Sequence, residues 1–242
     1  MAGHSHWAGI KYKKGREDKQ RSKIFSKISK EITVAAKLGE KDPDMNSRLR
    51  SAIQMAKSAN MPKENVERAI SKSETNQNIN YDYLRYEGVG PGKISIIVET
   101  LTENKNRTVS NIRTIFQKHG GNLGSQGVAI HKFKQSGIIR IEKTIISDKE
   151  ILELAIEAEA EECISYQNYH EIFCAKEQFY KVQNVIGKKV YNFIYSGIKW
   201  IPLNHLDLNK DQYSSAIRLV ESLEENDDVQ NVYTNLKKKK FN

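Results

Sequence analysis

Lys93-Ile94-Ser95-Ile96-Ile97-Val98-Glu99-Thr100-Leu101-Thr102 is a run rich in β-branched residues that reads as a strand, and the elements after it set the topology. Arg107–His119 is helical with Val109, Ile112, Ile115 and Phe116 on one side, Gly120-Gly121 stops it, and Val128–Phe133 reads as a strand. That is a β-α-β unit with no closing half beside it. The closing half arrives only at Lys210–Leu223, a helix, and Val229–Thr234, a strand. Between them Gly137–Glu142, Asp148–Glu161, Cys163–Gln167, Tyr169–Cys174, Lys176–Ile186 and Val190–Ile201 read as β-α-β-β-α-β, a split βαβ, ferredoxin-like pattern complete in itself. The order predicts one α+β lobe inserted into another.

Upstream the period is helical. Residues 16–38 form a first pattern that Gly39 ends. A second opens at Asp42-Pro43, where Asp caps and Pro fits the first turn, and buries Met45, Leu49, Ile53 and Ala56. A third opens near Pro62 and buries Val66, Ala69 and Ile70, and the polar stretch Ser71 to Asn80 reads as a linker. The expected class is therefore α+β: a three-helix lobe (1–78), a discontinuous α+β lobe (79–136 plus 207–236), an inserted α+β lobe (137–206) and a basic, solvated tail (237–242).

Charge is distributed unevenly over these parts. Residues 1–78 carry 17 Lys/Arg against 9 Asp/Glu, net +8 out of +9 for the whole chain. At about 100° per residue, Arg16, Lys19, Lys23, Lys27 and Lys30 fall within an arc of roughly 80° on the first helix, with Ile24, Phe25, Ile28, Ile32 and Ala35 nearly opposite. Such a stripe is either a solvated lysine face or a phosphate-binding surface. Lys11, Lys13 and Lys14 before it, and Arg48, Arg50 and Lys57 on the next helix, favour the second. Trp7 and Tyr12, interleaved with these cations, are placed either to stack on unpaired bases or, for Trp7, to pack in a core.

No apolar run is long enough to cross a bilayer, and no signal-peptide core follows Met1, so a cytoplasmic protein is expected. Cys163 and Cys174 lack CxxC spacing and read as buried free thiols. Chemistry-bearing motifs fail one by one. Gly88-Val89-Gly90-Pro91-Gly92-Lys93 imitates a phosphate loop, but that loop needs Gly at 87 and Ser or Thr at 94, where the chain has Glu87 and Ile94. Lys93 also enters a strand, whereas a phosphate loop opens a helix. Around Ser125 the nucleophile-elbow pattern fails because Leu123 takes the first Gly position. His4 and His6 have no third ligand nearby, and the acids of 148–162 run around a helix instead of converging, which suits a protein partner. The residues predict no enzyme, no metal and no cofactor.

Several segments resemble the YebC/PmpR family, whose organellar relative is the translational activator of cytochrome oxidase subunit one. They are Ala2-Gly3-His4-Ser5-His6-Trp7, Gly15 through Lys37, Asp42-Pro43, Arg48-Leu49-Arg50, Asn60-Met61-Pro62-Lys63, Tyr86-Glu87-Gly88-Val89-Gly90-Pro91-Gly92, Asn104-Lys105-Asn106-Arg107-Thr108, Gly120-Gly121-Asn122-Leu123-Gly124 and Asn226 through Asn235. The chain departs from that pattern at His6, Gly9, His131 and Lys132. The resemblance implies a three-domain, cytoplasmic, non-enzymatic protein, acting either as a DNA-binding transcriptional regulator or as a ribosome-associated factor for proline-rich stretches.

Charge placement separates those two. In a helix-turn-helix the second helix carries the cations that meet the groove. The third helix here sets Lys63, Arg68 and Lys72 against Glu64, Glu67 and Glu74, net zero, whereas residues 11–30 hold nine basic and two acidic residues. Cationic charge without a reading helix favours structured RNA, and so ribosomal RNA, over an operator, with DNA the alternative and nucleotide hydrolysis a third reading.

Overall fold

The computed structural model describes residues 5–75 and 81–237, the side chains of 5–20 and of Thr75 excepted. It consists of two compact units, residues 1–76 and 77–242.

The first unit is three helices, α1 (Ser5–Leu38), α2 (Ser47–Ser58) and α3 (Lys63–Thr75). Helix α1 begins well before the expected residue 16, since its early part is rich in straight-chain Lys and Arg and its two glycines cost only about 1 kcal/mol each. Ile28, Ile32, Ala35 and Ala36 of α1 pack with Leu49, Ala52 and Ala56 of α2 and with Met61 and Ala69. Thr33 Oγ1 donates to the Ala69 carbonyl at 2.8 Å and ties α1 to α3.

Two expectations for this unit are corrected. Helix α2 does not open at Asp42-Pro43: Asp42 Oδ1 accepts from the Asp44 N–H at 2.9 Å and the Asp42 carbonyl from the Met45 N–H at 3.1 Å, which closes a turn. Asn46 is the cap instead. Its Oδ1 accepts from the Leu49 N–H at 3.0 Å, while its Nδ2 donates to the carbonyls of Ala35 and Glu40. Met45, left outside the helix, is 74% exposed rather than buried, and Ile24 is exposed as well.

The second unit contains β1 (Asp82–Val89), β2 (Ser95–Thr102), α4 (Lys105–Lys118), β3 (Asn122–Leu123), β4 (Phe133–Glu142), α5 (Asp148–Glu157), β5 (Glu162–Ser165), β6 (Tyr169–Ala175), α6 (Phe179–Gly187), β7 (Tyr195–Pro202), α7 (Lys210–Glu224) and β8 (Val229–Thr234). These strands make two antiparallel sheets, ordered β3-β1-β2-β8 and β5-β6-β4-β7. The late strand β8 pairs with β2, Ile96 opposite Thr234 and Val98 opposite Val232, so the interrupted β-α-β does find its partner at the end of the chain. Ile96, Val98, Ile112, Phe116, Leu219 and Leu223 form one core with α4 and α7; Ile139, Ile141, Ile172, Leu154, Phe179 and Val182 form the other with α5 and α6.

Strand β1 was not among the expected elements, although Leu84 and Tyr86 alternate with Arg85 and Glu87 at the period of a strand. The expected strand at Val128–Phe133 does not exist. Its Ala129 and Ile130 N–H groups bond to the Glu87 carboxylate, Ile130–Lys132 is a 3-10 turn, and the strand that starts at Phe133 runs on through Glu142 in the other sheet. Trp200 and Phe133 then pack with Ile97 and Ala129 between the two sheets.

Candidate nucleic-acid interface

Helix α1 carries the cationic stripe. The backbone of Lys11, Lys13, Lys14, Arg16 and Lys19, and of Trp7 and Tyr12, lies in it, but their side chains are outside the described residues. Lys23, Lys27 and Lys30 are half-buried, three or four residues apart and so on one side of the helix. Four residues beyond Lys30 on that side is Val34, which is buried, so the stripe ends where the helix enters the bundle.

Arg48 and Arg50 do not extend the stripe as expected. Arg48 Nε donates to Glu31 Oε1 at 2.7 Å and its second nitrogen to Oε2 at 3.2 Å, a forked pair between α2 and α1. Arg50 donates to the carbonyls of Pro43 and Asp44 and closes the turn before α2. Both guanidiniums hold the bundle together. On α3, Lys63 pairs with Glu67, and Glu74 with Lys41. Glu74 is held below the usual carboxylate range by its hydrogen bond to Lys41.

The glycine clusters are turns. Gly90 to Lys93 joins β1 to β2, with Gly92 at φ 67° and its missing Cβ 2.5 Å from Leu208 Cδ2, so no helix opens there for a phosphate. Gly120, at φ 73°, and Gly121, donating to the Phe116 carbonyl at 2.8 Å, end α4 in a Schellman turn. Among the described residues no group of three His, Cys, Asp or Glu is placed to hold a metal ion. His170 is fully buried between Ser165 Oγ and the Ile146 carbonyl. Cys174 is buried, and burial with the nearby Glu161 pushes its thiol up to about 11.

Three buried carboxylates, unforeseen from the sequence, organise the second unit. Glu87 Oε2 accepts the N–H groups of Gly127, Ala129 and Ile130 at 2.9–3.1 Å, and Arg85 Nε lies 3.3 Å from its Oε1. Burial raises the pKa of Glu87, but the three N–H groups and Arg85 outweigh it and hold the group below its ordinary value. Glu99 accepts Trp200 Nε1 at 2.9 Å on one oxygen, and Asn231 and Tyr233 at 3.1 Å on the other. Asp228 accepts from Arg107 through both oxygens and from Thr108 Oγ1 at 2.8 Å. The motif segments Tyr86–Gly92, Asn104–Thr108 and Asn226–Asn235 contained Glu87, Arg107, Thr108 and Asp228, and that was their only signal. The acidic helix α5 has a Ser147/Glu150 capping box, and Asp148, Glu153, Glu159 and Glu161 of that region pair with Lys143, Lys149, Lys181 and Lys134.

A three-helix module with a cationic first helix, followed by two α+β layers whose buried polar residues hold loops and sheets together, defines an α+β protein whose excess charge precedes its main body in the chain. Residues 5–76 match the TACO1/YebC protein N-terminal domain and residues 81–236 the TACO1/YebC second and third domain; the chain belongs to the TACO1/YebC family. A probable transcriptional regulatory protein of Pelagibacter ubique is 61% identical over 236 residues, 98% of each chain. One of Syntrophus aciditrophicus is 44% identical, covering 97% of this chain and 95% of its own. The crystal structure of a conserved hypothetical protein from Aquifex aeolicus superposes with a TM-score of 0.80 at 39% identity over 90% of both chains.

Proposed function

We propose that this chain is a non-enzymatic, cytoplasmic regulator of gene expression that binds ribosomal RNA through α1 and eases translation of proline-rich stretches. The observation that carries the reading is the placement of charge: nine Lys/Arg and two Asp/Glu in residues 11–30, all within α1, beside an α3 whose charges cancel. DNA-directed transcriptional regulation is the second reading. The names of the Pelagibacter and Syntrophus relatives favour it, as does the short connection between α2 and α3.

Purified ribosomes and genomic DNA fragments competing for the protein at near-physiological salt separate the two. Ribosomes win with the wild type and lose most of that advantage with Lys19→Gln, Lys23→Gln and Lys27→Gln combined. Sequence-selective DNA binding that outcompetes ribosomes would put transcription first. Unchanged affinity for both polyanions in the triple variant would return the stripe to a solvated helix face.

A further inference from the structure

Exposed apolar side chains are concentrated in one part of the chain. Of the thirteen large hydrophobic residues that stand exposed among the described residues, nine fall in the stretch from Ile145 to Leu203, within residues 137–206. That stretch of 137–206 holds eight Lys/Arg and ten Asp/Glu in a chain of net charge +9. It is the acidic part of a basic protein and also the part with the most apolar surface, a combination that suits a protein partner better than a phosphate backbone.

Helix α5 brings the two properties together. Ile151, Leu154, Ala155 and Ala158 are buried with Ile139 and Ile172 of the sheet, which leaves Leu152, Glu153, Ile156 and Glu157 on the solvent side. These four are neighbours by the spacing of a helix, so they form one continuous patch. Leu152 is 49% and Ile156 69% exposed, and α5 is the one helix among the described residues with exposed aliphatic side chains on successive turns of one face. Glu153 meets only Lys149 of the same helix, at 4.0 Å. Glu157 has no ion pair among the described residues and stands in a last turn that has no basic residue, where the unsatisfied carbonyls of a helix end favour a cation. Over residues 148–162 seven Asp/Glu stand against one Lys, and Lys134, Lys143 and Lys181, which pair with acids there, leave the acids in excess.

From this we infer that the Leu152–Glu157 patch of α5 docks a ribosomal protein, through a segment that presents Lys or Arg beside apolar side chains. Leu152 and Ile156 supply the desolvated centre of the contact, and Glu153 and Glu157 supply a charged rim that selects a basic partner and speeds its approach. Proteins that sit on ribosomal RNA carry the excess of Lys and Arg that such a rim requires. RNA itself does not fit, because the acids repel phosphates and aliphatic side chains offer no plane on which a base can stack. The inference rests on the ribosome reading given to α1, to which it adds a protein contact on the other compact unit.

The test compares binding of the full chain to purified ribosomes and to protein-free ribosomal RNA. Leu152→Gln with Ile156→Gln keeps good helix formers and removes the apolar centre. Ribosome affinity then falls about tenfold or more, as for loss of two anchor side chains, while affinity for the protein-free RNA stays at the wild-type value. Glu153→Gln with Glu157→Gln slows association with ribosomes at low salt and has little effect at high salt. Thermal melts check folding, and the acid pair, wholly on the surface, carries the test if the apolar pair is unstable. Unchanged ribosome binding in both variants overturns this surface and leaves the α1 reading standing. An equal loss on protein-free RNA overturns the assignment to a protein. Self-association of the wild type that the apolar pair abolishes assigns the patch to a second copy of this chain and overturns the ribosomal partner. A wild type that binds neither ribosomes nor their RNA overturns the ribosome reading and this surface with it.

Discussion

Glu87→Gln isolates what the buried carboxylate contributes. The substitution keeps shape and one oxygen acceptor, but it replaces three charge-assisted N–H bonds at 2.9–3.1 Å with neutral ones and turns an amide toward Arg85. Hydrogen bonds to a charged group contribute about 1.5–3 kcal/mol each against about 0.5–1.5 for neutral pairs, so the three lose roughly 3 kcal/mol together. The smaller desolvation cost of the amide offsets part of this, leaving about 2 kcal/mol. For a body of this size that lowers the melting temperature by about 4–8 °C. The pH dependence is the sharper readout. The pKa of Glu87 is depressed in the folded chain, so its stabilisation is fully present above the unfolded carboxylate value of about 4.3 and is lost as pH falls through the folded value. Melts followed by circular dichroism should therefore show a constant gap between wild type and variant from neutral pH down to mildly acidic pH, narrowing below that. A gap of undiminished size in acid, or a variant as stable as wild type at neutral pH, would refute the role given to the charge.

Trp200→Phe leaves Glu99 Oε1 without its donor inside the packed contact between the two sheets, and urea unfolding should register a loss of about 1–3 kcal/mol; a loss within error would show that water replaces the indole. If residues 137–206 are an inserted domain, replacing 137–204 with a short linker leaves β1, β2, β3 and β8 with α4 and α7, and the product should still melt cooperatively, though less stably for want of Trp200. A product without a thermal transition would show that the two sheets fold only together.

Elements whose pattern is local are legible in the amino-acid order alone. Val229–Thr234 is the strand expected there, α7 lies where its apolar spacing put it, and the order β-α-β-β-α-β between Phe133 and Pro202 could be read because each element buries one face against its own neighbours. The cationic helix was legible for the same reason, since charge periodicity along α1 needs no knowledge of what packs beside it. Long-range polar pairing, which exists only once the chain is folded, set the rest. Strand β1 carries Arg85 and Glu87 because each has a partner elsewhere in the fold, and Val128–Lys132 is a pinned loop because Glu87, some forty residues earlier in the chain, takes N–H groups that a ladder would otherwise use. Arg48 and Arg50, indistinguishable in sequence from phosphate-binding residues, became internal ties once Glu31 and the carbonyls of Pro43 and Asp44 came within hydrogen-bond reach. Apolar period is a property of a segment, but the partner of a buried charge is a property of the fold.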